Sequence, residues 1–140
     1  MVLMTASYDL FLGKTYETLL KDASFLSLIG GNVPEIVDEG LDDFYISSDA
    51  NQAECIFNKQ TQILEAILFK EKADGTFPIS LTSKMSADEV RNLLGSPVES
   101  IPARKLPVLG MVPPFDKFVG NVEITYSLES GLVEEVRFSL

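Results

Sequence analysis

Four carboxylates crowd into one short stretch of this 140-residue chain and are its densest group of potentially reactive side chains. They are Asp38, Glu39, Asp42 and Asp43. Paired carboxylates could hydrolyse a glycosidic bond or bind Ca²⁺. Their spacing lacks the alternating D-x-D-x-D-G pattern of a calcium-binding loop. We therefore expect no specific metal site and no cofactor.

The residue types that most enzymes need are missing. The chain has no His and a single Cys, Cys55. Histidine is the commonest general base and the usual activator of Ser and Cys nucleophiles. There is also no P-loop and no dinucleotide fingerprint. We therefore expect a protein that is not an enzyme. Cys55 lies in a strand pattern and is expected to be buried and unreactive, and a lone cysteine fits a reducing cytoplasm.

The negative charge is concentrated in one region. The net charge is −10, and no Lys or Arg occurs between Lys21 and Lys59. The eight acids of that interval are Asp22, Glu35, Asp38, Glu39, Asp42, Asp43, Asp49 and Glu54. Such a field repels nucleic acid and anionic membranes, so we expect neither as a partner. It would attract a basic protein and speed its association. The alternative is a plain solvated surface that keeps the protein in solution.

Two segments are candidate partner-binding surfaces. The first combines acids with an aromatic anchor, either Phe44 or Tyr45. Its acidic members are Glu35, Asp38, Glu39, Asp42, Asp43 and Asp49. The second runs from Pro97 to Phe115 and is rich in proline, so that it would lose little entropy on binding. The alternative is that both are solvated loops.

An internal repeat indicates the elements that position these segments. Cys55 to Phe69 reads CIFNKQTQILEAILF, and Ile124 to Phe138 reads ITYSLESGLVEEVRF, at an offset of 69 residues. Each predicts strand, tight turn and strand, with Gly131 in the second turn. A repeat of this length indicates one supersecondary unit used twice. The alternative is that unrelated hairpins share such apolar spacing.

Helix signals precede both hairpins. Thr15 is expected to cap a helix over Tyr16–Asp22, and Ser86 with Glu89 forms a capping box for Ala87–Leu94. Phe77–Leu81 reads as a further strand. The sequence therefore predicts an α+β fold, a single domain over 1–140 with two similar helix-plus-hairpin halves, 1–82 and 83–140, around an antiparallel sheet. The predicted core is Leu19, Leu20, Phe57, Ile63, Ile67, Phe69, Val90, Leu93, Leu94, Tyr126, Leu132, Val136 and Phe138.

The second half resembles a known module. Met85 to Pro97 reads MSADEVRNLLGSP and Tyr126 to Phe138 reads YSLESGLVEEVRF, which resemble the helix and closing hairpin of BamE/SmpA-like modules. Lys84 stands where that module often has Gly. The same module doubled in tandem is what β-lactamase inhibitor proteins look like. This resemblance implies a fold of that kind and a protein-binding or assembly role.

A second resemblance covers nearly the whole chain. Leu12–Leu20 (LGKTYETLL), the two hairpins, Gly95-Ser96-Pro97 and Pro102-Ala103-Arg104 look like a bacterial family labelled pyocin or bacteriocin immunity protein. It implies a small cytoplasmic protein that binds a toxin or effector domain and neutralises it in the producing cell. The toxin and the oligomeric state stay open, and another adaptor or phage-associated role is the remaining alternative.

Overall fold

Antiparallel pairing joins most of the strands into one sheet. In a computed structural model, which describes Tyr8, 10–31 and 38–140, eight strands follow the order β1-β2-β3-β4-β10-β9-β8-β5. They are β1 (Asp38–Glu39), β2 (Asp43–Ser48), β3 (Ala53–Asn58), β4 (Leu64–Lys70), β5 (Glu99–Ile101), β8 (Phe115–Phe118), β9 (Val122–Tyr126) and β10 (Val133–Ser139). A separate two-stranded sheet pairs β6 (Arg104–Leu106) with β7 (Gly110–Val112). With its few helices, the fold is α+β.

Three short helices that lie wholly within the described residues begin at polar caps. They are α1 (Tyr16–Leu19), α2 (Ala23–Leu28) and α3 (Ala87–Leu94). The capping box of α3 is confirmed, since Ser86 Oγ accepts from Glu89 N and Ser86 N donates to Glu89 Oε1. The predicted end of the first helix is wrong. The Asp22 carboxylate accepts from the N–H groups of Ser24 and Phe25, so Asp22 starts α2 instead of ending α1.

The core lies between the helices and one face of the sheet. Phe25 and Leu19 from the helices pack there with Phe57, Ile67 and other apolar strand residues. Most of the predicted core is confirmed. Four residues of the predicted core are only half-buried: Leu20, Ile63, Leu94 and Leu132. Leu93 was predicted wrongly, because it lies on the outer side of α3 with 47% of its surface exposed.

The segment before α3 is not a strand. Ile79 and Ser80 have φ values of +56° and +66°, which break the extended backbone that Phe77–Leu81 would need. An isolated bridge between Thr76 and Thr82 closes this segment into a loop. The apolar side chains of Phe77, Ile79 and Leu81 are buried all the same, so hydrophobicity alone misled the prediction.

Both repeated segments form hairpins with closely similar turns. The N–H of Asn58 donates to Ile63 O at 2.9 Å, and that of Ser127 donates to Leu132 O at 2.8 Å. In each turn the side-chain oxygen of the first of these residues also accepts two backbone N–H bonds. A local side chain to backbone bond of this kind favours the turn over a continued strand. The prediction of strand, turn and strand is confirmed for both segments.

Candidate protein-binding surface

One face of the sheet keeps its side chains at the surface. Residues that pair directly across strands point to the same side, so the register divides the sheet into two faces. The face opposite the core is here called the open face. One row across it consists of Glu54, Leu68, Arg137, Glu123, Lys117 and Glu99. Side chains of this face are half-exposed or exposed, apart from the small buried Ala66. Such a surface is available for contact with a partner.

The four crowded acids come together at one end of this sheet. β1 pairs with β2 so that Asp38 is opposite Tyr45 and Glu39 is opposite Phe44. Asp42 and Asp43 lie at the start of β2, on the same turn. We call Asp38, Glu39, Asp42 and Asp43 the acidic corner. All but the half-buried Asp43 are exposed.

One cation borders the acidic corner. Lys59 Nζ lies 3.8 Å from Glu39 Oε2 and donates to Gly40 O at 3.1 Å. An exposed pair of this kind contributes little to stability. Since a single positive charge stands beside four carboxylates, the patch stays strongly negative.

The Tyr45 side chain lies at the surface beside the acidic corner, whereas the Phe44 side chain is buried. Phe44 points to the core face, is 8% exposed and stacks on Phe57 with ring centroids 4.9 Å apart. It is therefore not an available anchor. The half-exposed Tyr45 lies against Gly40, where an added Cβ would stand 2.9 Å from Tyr45 Oη. Glycine at position 40 thus lets the tyrosine ring lie close to the β1–β2 turn.

Asp49, another of the predicted acids, is not part of this corner. Asp49 follows the far end of β2, about 20 Å from Asp43 at the usual rise per residue. Glu35 lies outside the described residues. Glu54, named with the acids from charge alone, lies on β3 opposite Ser47 and faces the open side. The sequence therefore grouped more acids than the fold brings together.

Phe115 lies on the same open face toward the other edge of the sheet. It is opposite Thr125 on β9, which in turn is opposite Glu135 on β10. The Arg104 guanidinium carbon and Lys117 Nζ each lie 5.8 Å from the centroid of its ring. Cations at this distance are attracted to the ring face. The open face therefore has an acidic end and an end where an aromatic ring is bordered by cations.

A buried polar cluster that sequence reasoning missed fastens α3 to the sheet. Asp116 is buried and accepts from Arg91 Nε at 2.9 Å, Arg91 Nη2 at 3.0 Å, Ser100 Oγ at 2.5 Å and Tyr126 Oη at 2.9 Å. These bonds link the helix with β5, β8 and β9. A signal for it exists in the sequence, since alternation along Phe115–Phe118 puts Asp116 on the same side as the buried Phe118.

Hydrogen bonding sets the ionisation of this cluster. Burial by itself would raise the pKa of the Asp116 carboxyl, but the bonds from Arg91, Ser100 and Tyr126 outweigh it and hold that pKa below its ordinary value. Burial and the bond to Asp116 raise the pKa of Tyr126, and the Asp116 bond raises that of Arg91. The cluster is thus a stable ion pair, with its donors and acceptors matched to each other. The cluster therefore has a structural role and holds α3 against the sheet.

The part of the chain that the structure describes has neither a metal-binding cluster nor a membrane-spanning helix. No group of three or more His, Cys, Asp or Glu side chains there is arranged to hold a metal ion. No helix among those residues has the length and apolar character needed to cross a membrane.

Comparisons with protein families, curated proteins and solved structures found no match to this chain.

Proposed function

We propose that this chain is an immunity protein, which binds a bacterial toxin such as a bacteriocin or a contact-dependent effector and neutralises it in the cytoplasm of the producing cell. The observation that carries the proposal is the acidic corner, where Asp38 lies opposite the half-exposed Tyr45 and the other three acids lie next to these two residues along β1 and β2. A dense patch of one sign steers an oppositely charged protein and speeds its docking.

The charge of the corner indicates the chemistry of the toxin. A nuclease must present a basic surface to hold the phosphates of its substrate. Carboxylates placed on that surface would occupy the positions of the phosphates and exclude the nucleic acid. Tyr45 would supply the buried aromatic contact that carries much of the binding energy in a typical interface. The partner is therefore a basic toxin or effector domain, bound at its active surface or beside it.

We also propose that the fold consists of two similar halves, arranged as in tandem BamE-like or β-lactamase-inhibitor-like modules. Where the central strands pair, Leu68 lies opposite Arg137, and these two residues are separated by the repeat offset of 69. A two-fold relation between halves requires such a self-matched pair at its centre. The N-cap residues of α1 and α3 support it as well. Thr15 forms an isolated bridge with Ile63, and Ser86 forms one with Leu132, which is 69 residues after Ile63.

The second candidate function is that of a protein-binding or assembly module with no toxin partner. It is favoured by the position of α3 before the β9–β10 hairpin, as in BamE/SmpA-like modules, although four strands lie between them here. The two functions differ in their partner. An immunity protein binds a toxin encoded beside it and abolishes the toxin's activity, whereas an assembly module binds a protein whose activity it leaves intact.

The proposal is tested by capture and neutralisation. The intact chain is used as bait in lysate of a strain that produces toxins, and the captured protein is identified, purified and assayed for toxicity and for hydrolysis of nucleic acid. We expect an equimolar amount of the chain to abolish that activity. Co-expression of the chain should likewise restore growth of cells that express the captured protein. A captured protein that retains full activity in the complex would contradict the immunity function.

The acidic corner is tested with a charge-matched pair of variants. The first neutralises the predicted acids as E35Q/D38N/E39Q/D42N/D43N. The control neutralises five other exposed acids as E17Q/E71Q/D88N/E129Q/E134Q. We expect the first to lower the association rate about tenfold or more at low salt and to flatten its salt dependence, and the control to change the rate much less. Equal rates for both would show that the corner does not contact the partner.

A further inference from the structure

A second docking element stands apart from the acidic corner. β6 and β7 pair as a hairpin with Arg104 opposite Val112, Lys105 opposite Met111 and Leu106 opposite Gly110. This hairpin connects β5 to β8, which end their own pairing at Ile101 and Phe115. It therefore forms a small sheet of its own past the ends of β5 and β8.

Large apolar side chains at the end of this hairpin are left in water. Val108 is fully exposed, Leu109 is 73% exposed and Met111 is 53% exposed. We call residues 107–111 the apolar tip. Other exposed large apolar side chains among the described residues are spread singly along the chain. Scattered exposure of that kind is normal on a protein surface, whereas a cluster on one hairpin marks an interaction site.

The backbone of the tip is strained at Val108, a position whose conformation favours glycine. Val108 has a φ of +70°, and Leu109 N donates to Pro107 O at 2.7 Å across it. This is a three-residue turn with a left-handed centre, a rare conformation that is unfavourable for a β-branched residue. Glycine would relieve the strain but would remove the apolar group. Strain of this sort is concentrated at binding and catalytic sites.

The tip is also held ready for binding. Pro107 restricts the turn, the β6–β7 pairing holds both arms, and the Arg104 guanidinium at the base lies over the Phe115 ring. A preorganised loop loses little conformational freedom when a partner binds it. The contact of Arg104 with Phe115 makes the base of the hairpin continuous with the open face.

Charge identifies the kind of surface that would receive the tip. Residues 100–115 carry Arg104 and Lys105 and no acid, in a chain whose net charge is −10. We propose that the apolar tip inserts into an apolar pocket on the protein partner, and that carboxylates on the rim of this pocket meet the exposed Lys105, which lies on the same side of the hairpin as Met111. A membrane fits less well, because the acidic remainder of the chain is repelled by anionic lipid.

This inference deepens the proposed function and rests on it, since it assigns a second contact to the same partner. The acidic corner would meet a basic surface, and the tip would meet an acid-rimmed pocket. Opposite polarity at the two ends of an interface permits one orientation and penalises the reverse. The complex would thus be docked in a single register.

The experiment uses the purified captured partner and two tip variants. Val108→Gly deletes the apolar group and relieves the strained φ, so loss of folding cannot explain its effect. V108S/L109S/M111S removes the whole apolar surface, and V98S/V119S/L128S is a control at three other exposed apolar positions. We expect dissociation to become about tenfold faster for V108G and faster still for the triple tip variant, with the control within about twofold of the parent.

The results distinguish a failure of the tip inference from a failure of the proposed function. If the parent chain binds and neutralises a toxin and both tip variants bind equally well, the tip inference is wrong and the proposed function stands. If binding depends on the tip but the partner is not a toxin, the function is wrong and the tip stands. Capture of no partner overturns both. Tip-dependent self-association in sedimentation, or tip-dependent binding to phosphatidylserine vesicles, would replace the protein pocket by a second copy or a membrane.

Discussion

Gln62 and Gly131 occupy the same position in the two hairpins and share a left-handed backbone, with φ values of +62° and +74°. Each donates its N–H to the first residue of its turn, Asn58 O at 2.8 Å for Gln62 and Ser127 O at 2.9 Å for Gly131. Glycine adopts this conformation without steric cost, whereas glutamine does not. The same turn is therefore built from a favourable residue in one hairpin and an unfavourable one in the other.

This relationship predicts opposite effects at the two positions. Gly131→Ala should lower the free energy of unfolding by roughly 1–2 kcal/mol through the backbone alone, since a Cβ there meets no atom within 4 Å. Gln62→Gly should raise it by about 0.5 kcal/mol, because relief of the strained φ outweighs the entropy of glycine. Urea unfolding checks both. Gln60→Gly, at a position without positive φ, is the control and should destabilise; a similar loss for Gln62→Gly would contradict the prediction.

Removing the buried carboxylate should be costly. Asp116→Asn leaves the Arg91 guanidinium without its counter-charge and replaces one acceptor oxygen by a donor, so we expect a loss of about 3 kcal/mol. Asp88→Asn is the matched control. The Asp88 carboxylate is 4.0 Å from Arg91 and almost fully exposed, and its loss should cost less than about 0.5 kcal/mol. Chemical denaturation that gave equal values for both variants would show that the cluster does not fasten α3.

The same carboxylate predicts the acid dependence of stability. Its pKa is lower in the folded protein than in the unfolded chain, where an aspartate titrates near about 3.9. Its contribution is thus fully present above about pH 5 and is lost as the pH falls through the folded pKa. Unfolding free energy measured between about pH 5 and pH 2 should fall more steeply for the parent than for Asp116→Asn. Parallel curves would mean that other carboxylates account for acid unfolding.

The two sides of α3 should respond differently to truncation. Val90 is fully buried, and Val90→Ala should cost about 2 kcal/mol in lost burial and a residual cavity. Leu93 is exposed, and Leu93→Ala should change stability by less than about 0.5 kcal/mol. Thermal or urea unfolding of the two variants measures this difference. A larger loss of stability for Leu93→Ala than for Val90→Ala would show that α3 buries the opposite side.

Cys55 should react only when the protein unfolds. Burial, with a smaller effect of the Glu54 charge, raises the pKa of its thiol to about 12, and the side chain is inaccessible. Because the thiolate is the reactive form, a disulfide reagent should modify the native protein no faster than the chain opens globally. The reaction in about 6 M guanidinium, a concentration that unfolds most proteins, gives the fully reactive control. Rapid modification without denaturant would place the thiol at the surface.

Features that depend on a few neighbouring residues followed from the sequence. The bounds of α3 come from Ser86, Glu89 and Gly95, which act within three or four residues of the helix ends. The hairpin turns likewise depend on Asn58, Ser127 and Gly131. The acidic corner was found because its four carboxylates are already close along the chain.

Features that depend on strand register did not follow from it. Phe44 and Tyr45 are both aromatic, so their sequence could not tell which of them enters the core and which lies on the open face. Asp116 acquires Arg91 and Ser100 only because β8 lies between β5 and β9 beneath α3.

By itself, the sequence determined where α1, α3 and the two hairpins begin, that the chain carries a concentrated negative charge, and that it lacks histidine. Only the tertiary structure decided which side chains share a face, that Leu93 is exposed, and that residues 107–111 form an apolar tip on a separate hairpin. The physical reason is range. Caps and turns are set by bonds between near neighbours, whereas facing and exposure are set by how strands far apart in the chain align, and that alignment minimises the free energy of the whole sheet.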